Sequence, residues 1–540
     1  MRSAYTLFIE PKEWRWVVVI SCSLALLSFI PFFLISYQGF THEGEIVFTG
    51  TIYDSLNVAG DLVYLDIASR GEWLGHYRHT PESHSGILMD VVYLVLGNLS
   101  RLFSLSTVIV YHIFRIGAAA FMYLCLYQLA ASIWSKVRTR RIFFLLTALG
   151  SGFGWLLGGA DYLDLSMPAA FPFYSTLSSI HIPLVIACLA LLASVIIMVT
   201  RPDETPVPTV NNGGTLVFLV GLILVQLSPI AFLPIAIAFS VNTVLGWTAD
   251  RQINRHQLSW LLWFIVPALP VLLYYALLLQ NDPIIALIWE QSMSQSPPTI
   301  GVFLLSYGIL LILAIPGLYR AIRRFERDGN QFMIIWLITM VVLIFLPTKI
   351  QLNFVVGLVI PLVYFAARAV EDFWLQKINQ RYWIPVAGAV LAFSSMSNVM
   401  IWAKPIFTDE ATDNMVMLSP EYHDVFRWLR QQEIDLPLVL ASPEVSLWLP
   451  TRVEVKVVYG HPTYTADAEQ KYQAVIDWYQ ASSCDMSLLD GAVRVGGVRP
   501  YRVDYVIDGP LEREIGQSSC LDELTLVARL QGVSIYRYDR

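Results

Sequence analysis

Three groups of residues in this chain have the types and spacing to do chemistry. The first reads Tyr53-Asp54-Ser55-Leu56-Asn57-Val58-Ala59-Gly60-Asp61 and continues through Tyr64 and Asp66 to Arg70-Gly71-Glu72-Trp73. Asp54 and Asp61 stand seven residues apart, with Asn57 and Tyr64 at helical intervals, so one helix face would carry all four. Leu56, Val63 and Ile67 fall on the opposite side. Carboxylates at the edge of an aqueous cavity suit a general base acting on a hydroxyl; ordinary surface acids on a solvated loop would leave the same pattern. The second group is His76-Tyr77-Arg78-His79-Thr80-Pro81-Glu82-Ser83-His84. A metal needs converging ligands, but this spacing is no helical pair and Pro81 interrupts it. A loop that grips a polar head group through His, Arg78 and Glu82 fits better, with a passive loop as the alternative. A divalent metal stays open as a cofactor, without a clear ligand motif. The third group is scattered. Arg115 lies a turn or two inside an apolar run, where a charge is costly and therefore functional or paired by default. Lys349 sits in a polar break, Leu346-Pro347-Thr348-Lys349-Ile350-Gln351-Leu352-Asn353, where a cation flanked by Gln351 and Asn353 suits a lipid phosphate. His181 opens an apolar run.

These groups must be positioned by membrane-spanning helices. Of 540 residues, 56% are apolar and 14% charged. Soluble proteins have about 45–50% and 25%, so the composition excludes a soluble enzyme, a disordered chain and a disulfide scaffold. From Ala403 onward there are 13 Lys/Arg against 21 Asp/Glu, while residues 1–402 hold 22 against 21. The chain therefore divides into a membrane module, 1–402, and an acidic soluble tail, 403–540. No basic stripe suggests nucleic acid. The tail reads as α/β, with strands at Leu436–Ser442, Val453–Tyr459, Asp504–Ile507 and Val533–Tyr538, and helices at Tyr422–Gln431 and Ala466–Gln480. His461, in a Gly-His-Pro turn, reads as a turn residue before a ligand.

Eleven apolar runs are long enough to cross a bilayer: Trp16–Tyr37, Ser106–Trp134, Ile142–Gly159, Ser179–Thr200, Thr215–Ser228, Pro229–Trp247, Gln257–Gln280, Pro298–Tyr319, Gln331–Pro347, Ile350–Ala367 and Trp383–Trp402. The first is too long for a signal peptide's apolar region and lacks a small-residue cleavage site, so it stays as an anchor. With a cytoplasmic N-terminus, 17 of the 22 basic residues of the module fall on the inner side, from Arg2, Lys12 and Arg15 to Arg368, Lys377 and Arg381. The other five, Arg70, Arg78, Arg101, Arg115 and Lys349, fall at the outer side. This bias orients the chain with its tail outside. Ile87–Phe103 is apolar but short and carries Asp90, Asn98 and Arg101; crossing would put the Lys136–Arg141 cluster outside, so it is read as a helix in the outer interface. The first outer segment, 38–105, is then where chemistry is expected, and Asp161, Asp164, Asp282 and Glu290 fall on the same side. Cys22, Cys125 and Cys188 read as apolar filler. Cys484 and Cys520 lie in the tail, where a disulfide is permitted but spacing alone does not fix the pairing.

The layout resembles the GT-C superfamily of membrane glycosyltransferases, which includes the protein O-mannosyltransferases and the bacterial aminoarabinose transferases that modify lipid A. The resemblance rests on the acidic outer loop ending Arg70-Gly71-Glu72-Trp73 and on Leu346-Pro347-Thr348-Lys349. It covers most of residues 1–402 in layout. The tail resembles outer domains of bacterial relatives through Gly460-His461-Pro462-Thr463-Tyr464-Thr465 and Asp504-Tyr505-Val506-Ile507-Asp508-Gly509-Pro510. The resemblance implies a polytopic α-helical membrane protein with an outer α/β domain, and an inverting enzyme. It would move a sugar from a polyprenyl-phosphate donor in the membrane lipid to a hydroxyl on a glycan, lipid or protein acceptor. Asp61 or Asp54 would be the base, and Arg115 and Lys349 would hold the lipid phosphate. Asp61 is placed ahead of Asp54 because a break at Gly60 would leave it in a helix's first turn, where the dipole keeps it ionised. The family's carboxylate is typically followed by a second acid, and here neither Asp is. A lipid or polysaccharide transporter or flippase, and an inactive membrane scaffold, are the alternatives.

Overall fold

A computed structural model of the chain describes residues 9–41, 47–159, 161–200, 213–325, 329–407, 415–491 and 501–539. Arg2, Arg201 and Arg327, counted above among the inner cations, lie outside these residues. The described residues form two compact units. One contains 1–31, 112–274 and 295–404; the other contains 32–111, 275–294 and 405–540. Residues from 405 onward belong to the second unit, together with the outer loop and 275–294, which the expected division at 402/403 had placed in the membrane module.

The first unit is helical. Seven helices in the described chain are long and apolar enough to cross a bilayer: Pro11–Tyr37, Thr107–Ile133, His181–Thr200, Pro229–Asp250, Arg255–Asn281, Ile300–Arg324 and Gln351–Lys377. The pair Gln380–Ser394 and Met396–Phe407, bent by 55°, makes an eighth if counted as one span. The expected eleven are reached only if Val137–Leu149, Gly214–Leu227 and Asn330–Phe345 cross as well, and these are short. His181–Thr200 is apolar on every face and mostly buried, as a helix at the centre of a bundle must be.

Four of the basic segments expected on the inner side meet at ion pairs. Arg140 Nη1 lies 3.0 Å from Glu13. Lys136 and Arg138 both reach Glu371, and Arg320 lies 2.7 Å from Asp372. At the loop between the expected third and fourth spans, Asp164 accepts the amides of Gly152 and Gly154 and the hydroxyl of Ser397. One oxygen of its carboxylate, Oδ2, takes all three bonds.

The second unit joins loop and tail. Strand β1, Val47–Phe48, pairs antiparallel with β2, Met417–Leu418. The remaining strands, β3 (Leu438–Leu440), β4 (Lys456–Val457), β5 (Tyr505–Asp508), β6 (Thr525–Arg529) and β7 (Ser534–Arg537), form one sheet in the order β4-β3-β5-β7-β6. The pairs of β3 with β4 and β5 are parallel; those of β7 with β5 and β6 are antiparallel. Four of these strands lie where apolar runs were expected. β6 was not expected, because its residues are mostly exposed and give no alternation. Helix Ala468–Gln480 packs Val475, Trp478 and Tyr479 into the core, and Cys484 and Cys520 are bonded beside it.

The loop supplies two helices, Ser55–Ser69 and Val91–Phe103. The second is 13 residues long, about 20 Å at 1.5 Å per residue, against roughly 30 Å of bilayer hydrocarbon. It buries Tyr93, Leu94, Leu96 and Gly97 while Val95, Leu102 and Phe103 stay exposed, the sidedness of a helix lying along an interface. Gly97 makes the pairing possible: a Cβ there would come within 2.4 Å of the Leu65 carbonyl and 2.5 Å of Ala68 Cβ. Gly97→Val should therefore overpack the pair and destabilise the unit by about 1–3 kcal/mol, whereas Leu102→Ser should not. A lowered melting temperature of the purified protein for the first variant alone is the expected outcome.

Candidate active site

Helix Ser55–Ser69 begins one residue after Asp54, which has a left-handed backbone, φ 54°. Its sequence runs through Gly60 without a break, so Asp61 lies mid-helix. This corrects the expectation of a helix starting after Gly60. Gly60 serves packing: a Cβ would meet the Tyr464 ring at 2.4 Å. The other loop helix begins the same way, after Asp90 at φ 49°. Left-handed non-glycine residues are uncommon, and Asp tolerates the conformation better than most. Two such acids flanking one site mark a locally strained arrangement of the kind that clusters at functional positions.

Asp54, Asp61 and Asp90 form an acidic cluster. Burial raises the Asp61 carboxyl well above the usual carboxylate range; Tyr93, hydrogen-bonded to it, opposes the shift, and Asp90 and Asp54 add to it. Oδ2 of Asp61 has no hydrogen-bond partner among the described residues. Burial also raises Asp54, against a hydrogen bond from Asn57 Nδ2 at 2.8 Å, and pushes Asp90 up to about 6. The direction for Asp61 is opposite to that expected from a helix dipole: mid-helix the dipole has no purchase, and desolvation with two neighbouring carboxylates decides. Tyrosines wall the cluster. Tyr77 and Tyr464 stack at 5.4 Å, Tyr64 meets Tyr77 at 6.3 Å, and Tyr93 stacks on Tyr111 at 6.4 Å. Among the described residues no three His, Cys, Asp or Glu side chains are arranged to hold a metal ion, so no step is routed through one.

The second loop group is engaged elsewhere. Arg78, 3% exposed, pairs with Asp66 at 3.0 Å and Glu454 at 3.5 Å. Asp66 also takes Arg70 at 2.9 Å. Glu82 receives Lys471 at 2.5 Å, and both are buried. His79 bonds the Leu447 carbonyl at 2.9 Å, and the Thr465 hydroxyl bonds the His79 carbonyl at 2.7 Å. The loop from His76 to His84 is thus a clamp that docks the tail. His461 completes it. Its Nε2 donates to the Leu56 carbonyl at 3.0 Å while Nδ1 accepts the amides of Thr463 and Tyr464. Burial holds its pKa well below the usual value, so it stays neutral and positions both the acid-bearing helix and Tyr464.

Of the candidates, Asp54 and Asp61 are brought together; Arg78 and Glu82 lie in the same unit on other partners. Arg115, His181, Lys349 and Gln351 belong to the helical unit. Arg115 is fully buried and donates to the Thr176 carbonyl. His181 opens helix His181–Thr200. The Lys349 carbonyl accepts the Gln295 amide, and the Gln351 amide donates to the Leu346 carbonyl, tying the Pro347 turn. Asp90, Tyr93 and Tyr464 were missed as site residues; the one available signal was an acid directly before each apolar helix. Truncating Lys471 to Met would strand the Glu82 charge, an effect of about 3–5 kcal/mol for a broken buried pair. Thermal unfolding should show this loss for Lys471→Met and its recovery when Glu82→Met is added.

No protein-family model matches the chain, and no curated protein matches it in sequence. Among solved structures, it is similar to ArnT from Cupriavidus metallidurans bound to undecaprenyl phosphate, with TM-score 0.55 and 11% identity over 98% of both chains. It is similar to the Archaeoglobus fulgidus oligosaccharyltransferase in the apo form, with TM-score 0.54 and 12% identity over 92% of this chain and 70% of that one. Arabinofuranosyltransferase AftD from Mycobacteria, mutant R1389S, gives TM-score 0.55 and 14% identity over 97% of this chain, which spans 41% of that longer protein. At such identities the likeness concerns the fold, and the fold resembles that of the GT-C membrane glycosyltransferases.

Proposed function

We propose that the chain is a membrane glycosyltransferase that moves a sugar from a polyprenyl-phosphate donor to an acceptor hydroxyl at the outer face. The observation that carries this reading is the cluster of Asp54, Asp61 and Asp90, in which Asp61 keeps one oxygen without a partner. A carboxylate whose proton affinity is raised is a stronger base than an ordinary hydrated one. Asp61 takes the proton of the acceptor hydroxyl. The oxygen attacks the anomeric carbon, the bond from that carbon to the lipid phosphate oxygen breaks, and the configuration inverts. The departing phosphate carries the electron pair, and Arg115 and Lys349 are assigned to neutralise it, a contribution that is often large. Asp54 and Asp90 keep the proton affinity of Asp61 high. The undecaprenyl phosphate bound to the Cupriavidus metallidurans protein and the dolichol-phosphate bound to the Archaeoglobus fulgidus one support the lipid class of the donor.

The same reading places the N-terminus inside and residues beyond 403 outside. The basic segments that meet at Glu13, Glu371 and Asp372 support a common inner end, and the Cys484–Cys520 bond suits an oxidising compartment. An alkaline phosphatase fused after Arg540 should be active; activity confined to a cytoplasmic reporter would reverse the orientation.

Replacing the base should cost about 10²–10⁴ in turnover with donor binding retained. Asp61→Asn is expected to do this. Because the site pKa is raised, the ionised base forms only as pH rises through that value. Transfer by the wild type should therefore begin to fall on acidification at a higher pH than that at which an ordinary carboxylate titrates. If Asp61→Asn retains turnover while Asp54→Asn loses it, the base is Asp54; an acid limb near pH 4, where a surface carboxylate titrates, would contradict the role of burial.

A further inference from the structure

Helix Ser55–Ser69 has a second functional side. Asp61 and Tyr64 belong to the acid face; Leu62 and Asp66, one turn apart, line a cavity of about 320 Å³ on another. Arg430, Arg452, Thr49, Ser106 and Thr107 complete its polar wall, with Phe48 and Val108 adding apolar surface. The charge balance is unusual for an acidic tail. Asp66 is already neutralised by Arg70 and Arg78. Arg430 and Arg452 pair with no carboxylate among the described residues. Arg452 uses Nη2 for the carbonyls of Phe48 and Thr49, at 2.7 and 3.2 Å, and its Nε and Nη1 make no further bond there. Arg430 donates Nε and Nη2 to the Arg452 carbonyl, at 3.2 and 3.0 Å, leaving Nη1. Each guanidinium is thus fixed by carbonyls while part of its fork stays unused.

Two like charges held beside one another in this way repel. Burial and Arg430 together push the Arg452 pKa down to about 10. A third positive contribution comes from Thr107, the first residue of a 27-residue helix whose opening amides have no intrahelical acceptor. Guanidinium forks and helix-start amides both match phosphate oxygens. The volume exceeds what a bare phosphate needs and lies at the lower end of small-molecule sites, roughly 300–1,000 Å³.

We propose that this cavity binds the phosphate of a phosphorylated carbohydrate, through Arg430, Arg452 and the amides at Thr107. Seating an acceptor there, across one helix from the base, rests on the transferase reading; the binding itself does not.

The test is a titration of the full-length protein in nanodiscs with α-D-glucose 1-phosphate, inorganic phosphate and D-glucose. Saturable binding of the first, competition by the second and none by the third are expected. Losing a charged hydrogen bond, Arg430→Gln should weaken binding about 10–100-fold, and raising salt should weaken it further. Arg452→Lys, which keeps the charge and loses the fork, should weaken it less than Arg430→Gln while preserving the melting temperature. Asp61→Asn should bind like wild type, so failure of catalysis and failure of this site are separable. No displacement of the sugar phosphate when phosphatidylglycerol replaces phosphatidylcholine is expected; displacement would give the arginines to a lipid head group and overturn the carbohydrate assignment. Absence of saturable binding by the sugar phosphate, or binding unchanged in Arg430→Gln, would overturn the proposal as well.

Discussion

Carboxylates crowded together and only partly exposed to water resist being ionised all at once. Asp54, Asp61 and Asp90 are in that position, and the rest of the loop and tail is arranged around it. Two of the three sit in left-handed backbone conformations at helix starts. The third, Asp61, hangs between them with a tyrosine on one side and an oxygen without a partner on the other. Crowding by Asp90 and Asp54 adds to the upward shift that burial imposes on Asp61. A carboxyl so raised holds a proton more readily than an isolated, well-hydrated aspartate does.

Holding like charges together has a structural cost, and the offsetting interactions lie within the loop and between loop and tail. Arg78 and Arg70 converge on Asp66 one turn beyond Asp61. Lys471 reaches from the tail to Glu82. His461 is fixed in its neutral form between the Leu56 carbonyl and two amides of its own turn. It presents Tyr464, whose ring lies against Gly60. These contacts span nearly 400 residues of sequence and make the loop and tail one body. A loop of this length would be costly to order alone; docked on the sheet, its helix becomes a rigid support for the acids.

Much of this architecture was legible in the sequence. The apolar fraction pointed to long apolar helices, and four strands were readable because they are apolar and buried; the charge step at Ala403 gave no sign that 32–111 and 275–294 cluster with the tail. Asp54 and Asp61 were identified together by helical spacing. What failed did so for physical reasons. Gly60 was read as a helix break from its propensity, but the ring of Tyr464 requires a residue without a side chain there. Asp61 was expected to be an ionised first-turn acid, because the desolvation that raises its pKa comes from tertiary packing. Glu82 and Arg78 looked like head-group ligands because their partners, Lys471 and Glu454, lie hundreds of residues away. Asp90 offered no motif of its own; only folding brings it beside Asp61. Strand Thr525–Arg529 was missed since an exposed edge strand need not alternate.

In the proposed reaction the acid cluster takes the acceptor's proton, and attack by the freed oxygen expels the polyprenyl phosphate. This reaction is tested most directly by incubating the protein in nanodiscs with a panel of polyprenyl-phosphate sugars and cell-envelope acceptors, and measuring released polyprenyl phosphate by mass spectrometry. Acceptor-dependent release from at least one donor is expected from the wild type, and none above background from the folded Asp54→Asn/Asp61→Asn double variant. Equal release by both proteins, or no release from any donor in the panel, would contradict the proposed reaction.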